Sequence, residues 1–267
     1  MTDGWQDSYF GTRMTRGVKA ILAATVSAFI VQALLDRITG GAVTGLLGLS
    51  VGGLKRGFLW QFATYLLVHG SVGHVFLNML ALFFMGPETE RVIGTRHFVA
   101  LYLVSGMLGG LGWLLLSDTP WAVCVGASGA IFGVIAAYAA LFPSRPITLL
   151  VFYVIPVTMK AWVLAAVLAM TELMFLLGSA GGGIAYAAHL AGGVAGYVYT
   201  LVMFRGRRVG RVLRRPRWDE EAKARQAREL DRVLDKIASQ GMNSLTRGER
   251  ELLEKARPLL EALVQDM

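Results

Sequence analysis

Cysteine is almost missing from this chain: Cys124 is the only one in 267 residues. That excludes an intramolecular disulfide framework and any cysteine-rich zinc site. Charge is scarce too, at 16% of residues, where a soluble domain carries about a quarter. No small-residue cleavage site with a mature domain follows the first apolar run, so no cleavable signal peptide is expected. Histidine occurs four times, as His69, His74, His97 and His189. With no paired carboxylates beside them, a metal protease finds little support, and no metal or cofactor is expected.

Apolar residues make up 55% of the chain and the mean hydropathy is +0.54. They come in long runs, as in a polytopic membrane protein. Six spans are predicted, at 17–36, 73–90, 97–116, 126–142, 161–178 and 184–204. The apolar segment 58–68 is too short to cross and suits an interfacial or re-entrant element. A glycine-rich stretch (Gly40 to Gly53) precedes it. Residues 143–160, with three prolines, Arg145 and Lys160, read as a loop.

The net charge of +8 is unevenly placed. Seven arginines between Arg205 and Arg217 follow the last apolar run. No aromatic residues interleave them to stack bases, so nucleic acid is not an expected partner. They read as juxtamembrane charges that touch anionic lipid. The amino-terminal arginines, Arg91, Arg96, Arg145, Lys160 and this cluster all fall on one side. The positive-inside rule makes that side cytoplasmic and puts both termini there. Lys55 and Arg56 are the exceptions, in a long loop where charge weighs little. Three parts are expected: a cytoplasmic segment 1–16, a transmembrane domain 17–204, and a basic linker with a soluble helical tail at 205–267. In the tail, Leu230, Val233, Leu234 and Ile237 recur at helical spacing. Thr246 and Glu249 have the spacing of a capping box that opens a second helix.

In this topology spans two, four and six run from outside to inside. His74 and Asn78, Ser128, and His189 lie near the starts of those three spans, hence at similar depth. Ser128 sits in Gly126-Ala127-Ser128-Gly129. At a helix start its amide and the dipole favour a developing oxyanion. The same four residues are also a close-packing surface. His189 precedes Gly192 and Gly196, whose spacing allows tight contact with a neighbouring helix. If that neighbour is span four, His189 reaches Ser128 as a general base. Otherwise it is a structural histidine bonded to a carbonyl. His74 and Asn78 are four apart, on one helix face. Both could donate to an oxyanion, or they could simply anchor the preceding loop. His69 reads as a loop-steadying residue, Cys124 as a small apolar filler, and His97 receives no role. No acidic residue is evidently placed to orient the imidazole. Glu172, the only carboxylate in the fifth span, reads as gating or structural. A Ser–His dyad is therefore expected, with Phe132, one turn after Ser128, packing the ring.

These pieces, His69-Gly-Ser-Val-Gly-His74-Val-Phe-Leu-Asn78, Gly86-Pro-Glu-Thr-Glu90-Arg91-Val-Ile-Gly94, Gly126-Ala-Ser128-Gly-Ala-Ile-Phe132-Gly133 and Ala188-His189-Leu-Ala-Gly192, resemble the rhomboid family of intramembrane serine proteases. The resemblance covers about residues 17–204. It implies an all-α, six-transmembrane-helix bundle with a water-filled cavity open to the outside. It implies Ser128 as nucleophile, His189 as base, and His74 and Asn78 as oxyanion donors. Gly126, Gly129, Gly192, His69 and Phe132 would support them. Glu90 and Arg91 match a structural motif at the cytoplasmic end. Phe132 stands where some members carry a tyrosine stacked on the histidine. The implied partners are transmembrane-helix protein substrates and membrane lipid, and the implied setting is a bacterial inner membrane. The tail segment from Leu234 also resembles a tail of some bacterial members. The alternative is a catalytically silent rhomboid-like protein that binds clients or serves quality control.

Overall fold

Helix lengths decide how this chain meets a bilayer. The computed structural model describes residues 14–117, 119–151, 155–178, 184–204, 217–246, 248–250 and 253. The chain divides into two compact units, residues 1–207 and 208–267.

In the first unit, helices α1 (Arg16–Thr39), α6 (Thr95–Leu116), α8 (Ala161–Gly178) and α9 (Ile184–Phe204) are long and apolar enough to cross a membrane. α5 (Val72–Ile93) has the length but carries Glu88, Glu90 and Arg91 at its end. α7 (Ser128–Leu141) has only 14 residues, about 21 Å at 1.5 Å per residue. A hydrocarbon core is about 30 Å thick. A helix of that length falls about 9 Å short of crossing such a core. The chain is an integral membrane protein with an all-α polytopic fold, and the six helices fall where the six apolar runs predict them.

Long outward rows of apolar side chains, among them Ile30, Leu34, Phe76, Leu80, Phe84, Val167 and Met174, are exposed. They suit lipid, which makes exposure of apolar groups free of cost. Within the bundle α6, α7 and α9 pack most extensively on one another. α1 leans on α5, where Val18 lies against Gly86. α8 is the least embedded, with Ala161 and Leu164 its only buried residues among those described.

The charged end of α5 ties three helices together. Glu90 is 3% exposed and accepts bonds from the amides of Gly17 (2.8 Å) and Val18 (2.9 Å). It also accepts from the hydroxyls of Thr15 and Thr95. It thus caps α1 and pins the start of α6, with negative charge at a helix N-terminus. Glu88 accepts from Tyr138 of α7 (2.7 Å) and pairs with Arg145 (2.6 Å).

The stretch between α1 and α5 is more ordered than its glycines suggest. It holds α2 (Ala42–Leu47), α3 (Val51–Lys55) and α4 (Gln61–Thr64). Its polar residues satisfy its irregular backbone. Gln61, fully buried, accepts from the Ser50 amide and donates to the Gly45 and Leu46 carbonyls. Gln32 of α1 bonds both the amide and the carbonyl of His69.

Residues 143–160, expected to be a loop, instead contain a β-hairpin, β1 (Pro146–Val151) with β2 (Ile155–Lys160), antiparallel. The branched residues Ile147, Val151, Ile155 and Val157 favour it, and Thr148 and Thr158 bond across the strands at 2.8 Å. Prolines misled the reading: in a two-stranded ribbon every strand is an edge, where proline is tolerated.

The second unit contains α10 (Arg217–Gln240), a 3-10 turn at Met242–Ser244 and helical residues at 248–250. Val233 and Leu245 are buried. The capping box forms: Glu249 accepts from the Thr246 amide (2.7 Å), and Thr246 Oγ1 accepts from the Glu249 amide (3.4 Å). Lys236 of α10 reaches Glu249 at 2.9 Å. These bonds lower the Glu249 carboxyl from its ordinary 4.5 to about 2, the Thr246 amide first among them. A depressed carboxyl stabilises the fold above its ordinary value, and that contribution is lost as pH falls through the lowered one. Protection of the Thr246, Glu249 and Arg250 amides, measured relative to their intrinsic exchange rates, should therefore fall between about pH 4.5 and 2. Glu249→Ala should show little protection throughout and lack this limb.

Candidate active site

The backbone before Ser128 is held from several directions. Leu49 and Cys124 form an isolated antiparallel bridge, with N–H···O bonds of 2.8 and 2.9 Å. The Gly126 amide bonds the Tyr65 carbonyl at 2.9 Å. Gly126 has φ +119°, and a Cβ there would come within 2.7 Å of His74 Nε2. Backbone conformation and space both demand glycine. The His74 ring is thus laid against the turn that delivers Ser128 to the first position of α7. Burial pushes the Cys124 thiol up to about 12, so this thiol is no competing nucleophile.

Small residues bring α9 onto α7. A Cβ on Gly192 would strike the Gly129 carbonyl, and one on Gly196 would strike that of Gly133. Gly129 and Gly109 of α6 both face the Ala188 carbonyl. This contact sets His189 Nε2 2.8 Å from Ser128 Oγ. The imidazole stacks on Phe132, with centroids 4.6 Å apart and planes within 4°. Ser128 and His189 are only partly buried.

Asn78, 7% exposed, directs its amide nitrogen to His69 Nε2 at 3.1 Å. The Ala127 amide approaches the same nitrogen at 3.4 Å. His69 is 1% exposed. With Nδ1 facing the Leu67 carbonyl at 3.4 Å and two N–H groups directed at Nε2, Nδ1 carries the proton and Nε2 is the acceptor. One N–H of Asn78 is then held by His69 and its second remains for a ligand. The rings of His69 and His74 meet edge to face, with centroids 5.0 Å apart.

A family model of the Rhomboid domain matches residues 56–206. The chain belongs to the rhomboid family. A family of unknown function (DUF6576) matches residues 219–256. Curated rhomboid relatives include Rhomboid-like protease 3 of Toxoplasma gondii, 31% identical over 140 residues, covering 51% of this chain and 52% of that protein. Rhomboid protein 1, mitochondrial, of Saccharomyces cerevisiae is 36% identical over 140 residues, 49% of this chain and 38% of its own. Rhomboid protease GluP of Bacillus subtilis is 37% identical over 90 residues, 33% of this chain and 17% of its own. The chain thus spans about half, or less, of the length of these relatives.

Within this rhomboid domain the residues singled out from sequence converge. Ser128, His189 and Phe132 form one contact group. His69, Asn78 and the Ala127 amide form a second, one residue away. His74 joins them through Gly126. His189 lies in the second turn of α9. His69 does more than steady a loop, since it holds Asn78. His97, given no role, contacts the Tyr199 hydroxyl at 3.0 Å, far along α9 from the site. One expectation fails. An acidic residue does face the imidazole: Glu172 Oε2 lies 3.0 Å from His189 Nδ1. A depth count reveals it. Glu172 is six residues before the end of α8 and His189 five after the start of α9, about 9 and 7.5 Å in from facing ends.

Gly126→Ala should destabilise the domain by about 1–3 kcal/mol through backbone strain alone, and further by displacing His74. Gly70→Ala, whose added carbon would meet only Val125 at 4.0 Å, should be near neutral. Thermal unfolding in detergent distinguishes them; equal midpoints would refute the constraint.

Proposed function

We propose that this rhomboid protein is an intramembrane serine endopeptidase that hydrolyses peptide bonds in or near transmembrane helices of other membrane proteins. The observation that carries the reading is the 2.8 Å contact between Ser128 Oγ and His189 Nε2, with the ring stacked on Phe132. In this reading Nε2 takes the hydroxyl proton as Oγ attacks the scissile carbonyl carbon. The carbonyl oxygen becomes an oxyanion, met by the Ser128 amide at the start of α7, by Asn78 and by His74. His189 then returns its proton to the leaving amine. A water molecule, deprotonated by the same nitrogen, then attacks the acyl carbon; the ester bond to Oγ breaks, the acid leaves, and the proton on Nε2 returns to Oγ.

The shortness of α7 supports a site inside the bilayer near the face opposite the basic clusters. Both termini are then cytoplasmic, and the setting is a bacterial inner membrane. A helical substrate hides its carbonyls in hydrogen bonds, so it must unwind locally. The close approach of Gly126 and Gly129 to neighbouring elements leaves little room beside the scissile bond, which favours a small residue there. The chemistry needs no metal or cofactor.

The purified protein with a model transmembrane substrate should cut after Ala, Gly or Ser in the outer third of the substrate helix, as mapped by mass spectrometry. Ser128→Ala and His189→Ala should each abolish cleavage, and the double variant should be no worse than either, because the two act as a unit. Undiminished cleavage by Ser128→Ala would refute the serine mechanism.

Asn78→Ala should lower kcat by roughly 10- to 1000-fold with little change in KM, as expected for the loss of one oxyanion donor. A rise in KM at normal kcat would make Asn78 a binding residue instead.

A further inference from the structure

The membrane interior is a costly place for a carboxylate, and one set there usually has a partner or a task. Glu172 is the only acidic residue of α8, and α9 has no acidic or basic residue besides its histidine. The Glu172 and His189 side chains are 14% and 19% exposed. The facing atoms, Oε2 and Nδ1, are sealed from solvent, and neither has a hydrogen-bond partner among the described residues. They lie 3.0 Å apart, at ion-pair distance without straight N–H···O alignment. The terminal torsion of a glutamate is soft, so a small rotation aligns the carboxylate. Catalytic hydrogen bonds that are poorly aligned in a free enzyme commonly tighten when substrate binds.

The three sides of the imidazole are then accounted for. Phe132 covers its face, Ser128 meets Nε2, and Glu172 meets Nδ1. A general base at Nε2 needs its proton on Nδ1. Packing against Phe132 fixes the plane of the ring but cannot choose between the tautomers, because stacking is indifferent to which nitrogen carries hydrogen. A carboxylate at Nδ1 makes that choice, since it accepts from N–H and repels a lone pair.

We propose that Glu172 is a positioning residue that holds His189 in its Nδ1–H tautomer, so that the serine and histidine act with a third member supplied by α8. This rests on the proteolytic reading above. During attack the Ser128 proton moves to Nε2, the Nδ1 proton stays in place, and the carboxylate remains ionised beside the imidazolium.

The test uses the full-length protein in detergent with a fluorogenic transmembrane substrate, comparing Glu172→Gln, Glu172→Leu and Glu172→Asp. Glutamine and leucine should each lower kcat by about 10-fold or more with KM within about twofold, and aspartate should recover part of the loss. Nitrogen-15 NMR of histidine-labelled protein, assigned with His189→Ala, supplies a readout independent of turnover. Neutral His189 should carry its proton on Nδ1 in the parent protein and lose that preference in Glu172→Gln. If Glu172→Gln and Glu172→Leu keep kcat within about twofold of the parent, or if the tautomer is unchanged in Glu172→Gln, the proposal is overturned. Ser128→Ala is the separating control. Its continued cleavage would sink the serine mechanism on which the proposal rests, whereas its inactivity beside fully active Glu172 variants would sink only the role of Glu172.

Discussion

A serine on one helix and a histidine on another come within 2.8 Å only if the two backbones nearly touch. The contact between α7 and α9 achieves this by removing side chains. Gly129, Gly133, Gly192 and Gly196 leave carbonyls and α-carbons against each other. In lipid no hydrophobic force drives helices together, so association depends on such close packing and on buried hydrogen bonds. Ser128 and His189 are outcomes of that packing, and a larger residue at Gly192 would separate the pair without touching either member.

The surrounding structure serves the same contact from further away. Glu90 and Glu88 bind the far end of α5 to α1, α6 and Arg145, which sets how α5 tilts into the bundle. At the other end, α5 presents His74 and Asn78 to the turn before Ser128. The irregular chain between α1 and α5 is held in place because Gln32, Gln61 and Thr64 satisfy its backbone. His69 stands where these two systems meet, with Gln32 on its backbone and Asn78 on its ring. α8 differs from the other helices. It is weakly embedded, yet it carries the one carboxylate that faces the imidazole.

Chain periodicity and apolar runs were enough to place the six helices, because a bilayer imposes length and polarity on any segment that crosses it. Sequence also puts Ser128, His189, His74 and Asn78 near the starts of alternate apolar runs, and the helices observed keep them there. What sequence obscured has physical causes. The hairpin at 146–160 was hidden by prolines that an edge strand can hold. Glu172 was judged on its own helix, where nothing distinguishes a carboxylate that faces a histidine from one that faces lipid headgroups or a cavity.

The amino-acid order alone therefore determined the fold class and the lengths of the helices, because each is set by local hydrophobicity and helical rise. Tertiary structure decided the rest. It chose α9 as the neighbour of α7, pinned the His69 ring between Asn78 and the Ala127 amide, and aimed Glu172 at Nδ1. Rotation of a helix about its axis and its choice of partner depend on interlocking shapes across several helices, and no single segment carries that information.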